Sequence, residues 1–138
     1  LKDIESVKLS GDCAFLKDNY DIKKQISETD KKEIYVVEPA ISGELDQAAI
    51  GIMLGKIVNL KADNFKFAGT VDGKEVVAQL EILCKGGKTH TVKFYQATDD
   101  NDVGDFIAAT TIDNYLYLFH DDTLTEAIKN CSDLVKKN

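Results

Sequence analysis

Between Phe65 and Phe119 the chain is punctuated by tight-turn dipeptides, Asp72-Gly73, Gly86-Gly87 and Asp113-Asn114. The runs between them are short, apolar and rich in β-branched and aromatic residues. Turn tokens at this spacing leave room for strands and little room for helices. Val76, Ala78, Leu80, Ile82 and Cys84 alternate with Glu75, Val77, Gln79, Glu81 and Leu83, and His90, Val92 and Phe94 alternate with Thr89, Thr91, Lys93 and Tyr95. Period-two alternation with charge on one side predicts strands with one wet face. Phe65, Phe67, Gly69 and Val71 open the run as a first strand, and Phe106 to Thr111 and Tyr115 to Phe119 close it as a last pair. The expectation is an antiparallel up-and-down meander.

Outside that run the periodicity changes. Ile4, Val7 and Leu9 suggest a short strand, and Ile34 to Val37 another, ended by Pro39, which cannot donate to a central ladder. Asp18 to Ser27 reads as a short helix with Tyr20, Ile22 and Ile26 on its apolar face. Asp121 to Asn138 reads as the clearest helix. Thr123-x-x-Glu126 has the form of a capping box, and Leu124, Ala127, Ile128, Cys131, Leu134 and Val135 form a stripe at helical spacing.

Ala48 to Val58 is almost wholly apolar and fits either state. Gly51 and Gly55 would weaken a helix, so the segment is read as a strand in a bent sheet. The alternative is an α+β curved sheet with a long helix at 44–60. About seven strands, with an eighth near the N-terminus, are enough to close. Closure into a barrel removes exposed strand edges, with the C-terminal helix packed outside. The architecture expected is therefore mainly β, one domain over residues 1–138.

The chain's 138 residues support a core without metal or disulfide staples. Its net charge is −7, from 24 acidic and 17 basic residues, and every basic residue is Lys. An acidic chain without arginine lacks the cationic face and the bidentate forks that nucleic acid requires. No apolar run is long enough to span a bilayer. Leu1 is the first residue, which is read as the start of a processed, secreted chain. Cys13, Cys84 and Cys131 lack C-x-x-C spacing, which argues against a zinc knuckle. One disulfide among them, with an open choice of pairing, suits a secreted chain and would stabilise it by about 2–4 kcal/mol.

Catalytic signals are few. His90 and His120 stand apart from other ligand-type residues in sequence. The acidic loop Asp99 to Asp105 lacks the ligand order of an EF-hand, and no nucleophile elbow or phosphate-binding loop occurs. No motif asks for a cofactor. What remains is an apolar inner face, Phe67, Leu80, Ile82, Val92, Phe94, Tyr115 and Tyr117, able either to form a core or to line a hollow for a small ligand.

Thr110-Thr111-Ile112-Asp113-Asn114-Tyr115-Leu116-Tyr117-Leu118-Phe119, followed directly by a helix, resembles the lipocalin segment where the last two strands meet, often written T-D-Y-x-x-Y. The G-x-W pattern that lipocalins carry near the start has no counterpart, because the chain contains no Trp. The resemblance implies a secreted carrier of a small hydrophobic molecule. Two further readings stand beside it: a secreted protein-binding inhibitor or effector with a filled core, and a small α+β enzyme of cone shape.

Overall fold

The computed structural model describes residues 4–13, 15–39, 41–61, 64–66, 75–96, 106–111 and 116–136. In chain order the elements are β1 (Ile4–Gly11), β2 (Asn19–Ile26), β3 (Glu33–Glu38), α1 (Gln47–Val58), β4 (Asn64–Lys66), β5 (Val76–Cys84), β6 (Thr89–Gln96), β7 (Phe106–Thr110), β8 (Leu116–Phe119) and α2 (Asp121–Ala127). A 3-10 turn over Cys131–Leu134 follows. The strands form one antiparallel sheet in the order β3-β2-β1-β5-β6-β7-β8-β4, to which β4 contributes three residues.

The meander is borne out over β5 to β8. At the β5–β6 turn Gly86 and Gly87 both have positive φ, a conformation that costs glycine little. Phe67 to Val71 and the Asp72-Gly73 and Asp113-Asn114 turns lie outside the described residues, as does the Asp99 to Asp105 loop. Asp18 to Ser27 is a strand, not a helix. Tyr20 and Ile22 are buried at a spacing of two, and the segment pairs on both sides, with β1 and with β3.

The barrel is not supported. β3 and β4 end the sheet on opposite sides, and the described residues show no pairing between them. The segment read as a strand, Ala48 to Val58, is instead helix α1. Asp46 caps it, its carboxylate accepting from the Ala49 N–H at 3.0 Å. Ile50, Met53, Leu54 and Ile57 then fall at i, i+3, i+4 and i+7, and all four are buried. They join Val7, Leu9, Ile22, Leu80, Phe94 and Phe106 in one core cluster. Gly51 and Gly55 face outward, where an added Cβ would meet nothing within 4 Å. The chain is therefore mainly β as expected, an antiparallel sheet that does not close, and only the helical state of this segment agrees with the alternative reading of a helix at 44–60.

The C-terminal helix is shorter than expected and lies elsewhere. It ends at Ala127, and Ile128 leaves in extended backbone. Asn130 restarts the chain as a 3-10 turn, in which Asn130 and Asp133 form a reciprocal capping box. Leu124, Ala127, Ile128 and Leu134 belong to the same cluster as α1, so this segment packs on the core face and not outside. The opposite face of β6–β8 carries its own buried cluster, Tyr95, Ile107, Leu116 and Leu118.

Two glycine replacements test this packing with opposite signs. Gly51→Ala and Gly55→Ala should each raise stability by up to about 1 kcal/mol, since alanine favours a helix and meets open space. Gly11→Ala should lower it, because its Cβ would stand 2.8 Å from the Leu16 carbonyl oxygen. Urea denaturation midpoints of the three variants decide this.

Candidate functional site

The sheet register brings the candidate lining residues together. Ala78 stands opposite Phe94, Phe94 opposite Ala108, and Ala108 opposite Tyr117. Leu80 faces Val92, and Ile82 faces His90. Leu80, Ile82, Val92, Phe94 and Tyr117 therefore share one face of the sheet. Phe67 and Tyr115 lie outside the described residues.

This face is occupied by the chain itself. The β1–β2 connection turns inward after Asp12, whose N–H donates to the Val77 carbonyl at 3.0 Å, and Cys13 N–H donates to the Leu16 carbonyl at 3.0 Å. The turn delivers Phe15 into the sheet's concavity of aromatic rings. Its centroid stands 5.3 Å from Phe94 and 4.8 Å from Phe106, both edge-on, and Phe94 is edge-on to Phe119 at 6.0 Å. Such edge contacts add to plain burial. Phe94 has no exposed surface and Leu80 only 1%. Phe15 thus packs on Phe94 and Phe106, and α1 joins Leu80 and Phe94 in the same buried cluster.

Two hollows lined by described residues open on the face opposite the core. The larger, about 370 Å³, is walled by Lys8, Leu9, Ser10, Asn19, Tyr20, Asp21, Glu38 and Pro39. The smaller, about 240 Å³, shares Ser10 and Asn19 and extends to Asp12 and to Val76 through Gln79. The register explains the wall: Lys8 faces Asp21, and Asp21 faces Glu38, in one row across β1, β2 and β3. Lys23 reaches Glu38 at 3.1 Å, an exposed pair of small energetic weight. Three carboxylates, those of Asp12, Asp21 and Glu38, stand around these hollows, with the ammonium of Lys8 in the wall and that of Lys23 on Glu38. Sequence reasoning missed this wall because β2 was read as a helix, which scatters Asn19, Asp21 and Lys23 around an axis. Strand alternation would have aligned them.

A second cluster ties the chain's end to its beginning. The Tyr20 hydroxyl donates to the Lys129 carbonyl and stands 3.7 Å from the Met53 sulfur. Lys17 N–H donates to Asn130 Oδ1 at 2.8 Å, and Cys131 N–H donates to Asp18 Oδ2 at 3.0 Å. Burial pushes the Tyr20 phenol well above its ordinary range, with the charges of Cys131, Asp18 and Asp133 adding to the shift. Burial also raises the Cys131 thiol, which donates a hydrogen bond to Asp18, and the Asp18 carboxylate raises it further. Both groups hold their protons, the reverse of what a nucleophile needs. Cys13, Cys84 and Cys131 are all free thiols, which corrects the expected disulfide. Cys131 is engaged with Asp18 instead. Among the described residues no three His, Cys, Asp or Glu side chains converge as a metal site requires, and no helix is long and apolar enough to cross a membrane.

Tyr20→Phe should lower stability by about 1 kcal/mol at neutral pH, the value of one buried hydrogen bond. The folded phenol holds its proton more tightly than the unfolded one. Its contribution is therefore fully present below about pH 10 and is lost as pH rises further, because the unfolded chain ionises first. Urea midpoints of the two proteins should converge above about pH 10. Cys131 should react with a thiol reagent more slowly than Cys84, and Asp18→Asn should speed it up; labelling followed by peptide mass spectrometry reads both.

No protein-family model, curated protein or solved structure matches this chain.

Proposed function

We propose that this chain is a protein-binding module of the inhibitor or effector kind, whose interior serves only as a core. The observation that carries the reading is the position of Phe15, wedged among Phe94 and Phe106 on the face where a small molecule would have to sit. A carrier must leave that space open, or open it by expelling Phe15 or α1. Burying a phenylalanine stabilises by roughly 1.5–3 kcal/mol, so expulsion carries a penalty that an apolar ligand would have to exceed.

The partner is a basic protein segment. The chain carries a net charge of −7, and the hollows on the open face of β1, β2 and β5 are walled by Asp12, Asp21 and Glu38. Complementary charge of this kind raises association rate and selects against acidic competitors. The enzyme reading draws on one observation, the helical state of α1 across the sheet. Its chemistry has less support: Tyr20 and Cys131 are both driven toward their protonated forms, the opposite of an activated nucleophile.

Native mass spectrometry of the purified chain should return the mass of the polypeptide alone, and an apolar dye should stay dark in its presence. Lysine-rich peptides should bind with an affinity that falls steeply as salt rises, and Asp21→Asn with Glu38→Gln should weaken them further. A co-purified small apolar molecule, or peptide binding indifferent to salt, would overturn the reading.

A further inference from the structure

An open sheet presents unpaired backbone groups along its outer strands. At the β3 side the phase of those groups is set by the β2–β3 hairpin. Ser27 N–H donates to the Lys32 carbonyl at 2.8 Å. Antiparallel pairs alternate between bonded and non-bonded, so Ile34, Val36 and Glu38 exchange bonds with β2. Tyr35, opposite Lys24, turns its N–H and C=O away from the sheet, and Glu33 and Val37 turn theirs the same way.

Both outward groups of Tyr35 meet one side chain. Tyr35 N–H donates to Gln47 Oε1 at 2.8 Å, and Gln47 Nε2 donates to the Tyr35 carbonyl at 2.9 Å. A glutamine amide offers the same acceptor and donor as a peptide group. It makes here the two bonds that a residue of a ninth strand would make. Gln47 is the first residue of α1, so the helix supplies the plug.

The strand behind the plug is a strong pairing template. Ile34-Tyr35-Val36-Val37 is an unbroken run of strand-forming residues at a sheet edge, flanked by Glu33 and Glu38. It is also complementary to itself. In a two-fold antiparallel pairing centred on Tyr35, each Tyr35 faces its copy and exchanges the two bonds that Gln47 now makes. Glu33 then faces Val37, and Glu38 faces Lys32, joining opposite charges at both ends.

We propose that the β3 edge is a pairing surface for a second copy of this chain, held shut by the side chain of Gln47. With the amide in place the two bonds at Tyr35 are satisfied internally and the edge does not recruit. With it gone the edge extends the sheet across a two-fold axis.

The test is Gln47→Ala in the full chain, compared with the parent by sedimentation over a wide concentration range and by hydrogen exchange at the Tyr35 amide. The parent should remain a monomer. The variant should double in molar mass as concentration rises, with the Tyr35 amide exchanging fast in the monomer and slowly in the dimer. Glu33→Pro in the Gln47→Ala background removes an outward N–H without touching a bond to β2, and should return the chain to a monomer. Should Gln47→Ala prove poorly folded by circular dichroism, Gln47→Asn, too short to reach Tyr35, replaces it. A variant that stays monomeric at the highest concentration overturns the proposal. So do a Tyr35 amide whose exchange is unchanged, a parent already dimeric through this edge, and a dimer that survives Glu33→Pro, which would have formed through another surface such as α1.

Discussion

The pairing of β1 with β5 holds this fold together. It joins the N-terminal strands β1 to β3 to the later meander, and it does so between residues far apart in sequence. Leu9 meets Leu80 and Val7 meets Ile82, so the apolar faces of the two halves become one surface. That surface is too wide for either half to cover alone. It also sets the route of the chain. β3 ends one side of the sheet and β4 the other, so residues 39–63 must cross seven strand spacings. At about 4.8 Å each this is on the order of 34 Å along the sheet. A helix of α1's length covers about 18 Å of it, and its shortest path lies over the apolar face that needs covering.

That route explains how the described core face is covered. α1 brings Ile50, Met53, Leu54 and Ile57 onto the surface that β1 and β5 create, and Leu124, Ala127 and Leu134 complete it from the other end of the chain. Phe15 closes the remaining gap from the β1–β2 connection. Gly11 permits that closure because any larger residue would strike the Leu16 backbone. The staple of Tyr20 on Lys129, with Asp18 on Cys131, then fixes the C-terminal segment against β2. The core is thus assembled from long-range contacts, and a hollow large enough for a ligand would require several of them to yield together.

How much of this the sequence disclosed depends on how many faces of a segment are buried. β5 alternates apolar and polar residues, and its strand state and inward set, Ala78, Leu80 and Ile82, were legible. β7 and β8 are buried on both faces, by the core cluster on one side and by Tyr95, Ile107, Leu116 and Leu118 on the other. Such strands read as plain apolar runs, so their state was legible but their inward faces were not. α1 failed for a related reason. Its outward face carries Ala48, Gly51, Ile52 and Gly55, so apolar residues surround it and hide the stripe at i, i+3, i+4 and i+7. Asp46, as cap, was the local signal that separates helix from strand there. β2 was misread because Tyr20, Ile22 and Ile26 also fit a helical face, and only pairing to two neighbours resolves that. Leu80, Ile82, Val92, Phe94 and Tyr117 share one face, as the alternation implied, but what lies over them was not legible, since Phe15 reaches that face through a turn that no periodicity encodes.

An open sheet and a closed barrel put different demands on the surface. A barrel has no edge to protect, and its function can retreat inside. Here the sheet is open, and where its edge strands meet solvent their unpaired backbone groups are a hazard. β3 forms one such edge with strongly strand-forming residues bounded by Glu33 and Glu38, and Pro39 follows it. The hollow walled by Asp21 and Glu38 begins where β3 ends, and the Gln47 amide sits at its middle. The same strand therefore carries Glu38 in the wall of the hollow and, at Tyr35, peptide groups bonded to the Gln47 amide of α1. The two features address different groups, side chains on the outer face and peptide groups along the edge. On the two readings proposed above, charge selects what approaches while the amide restrains what can add.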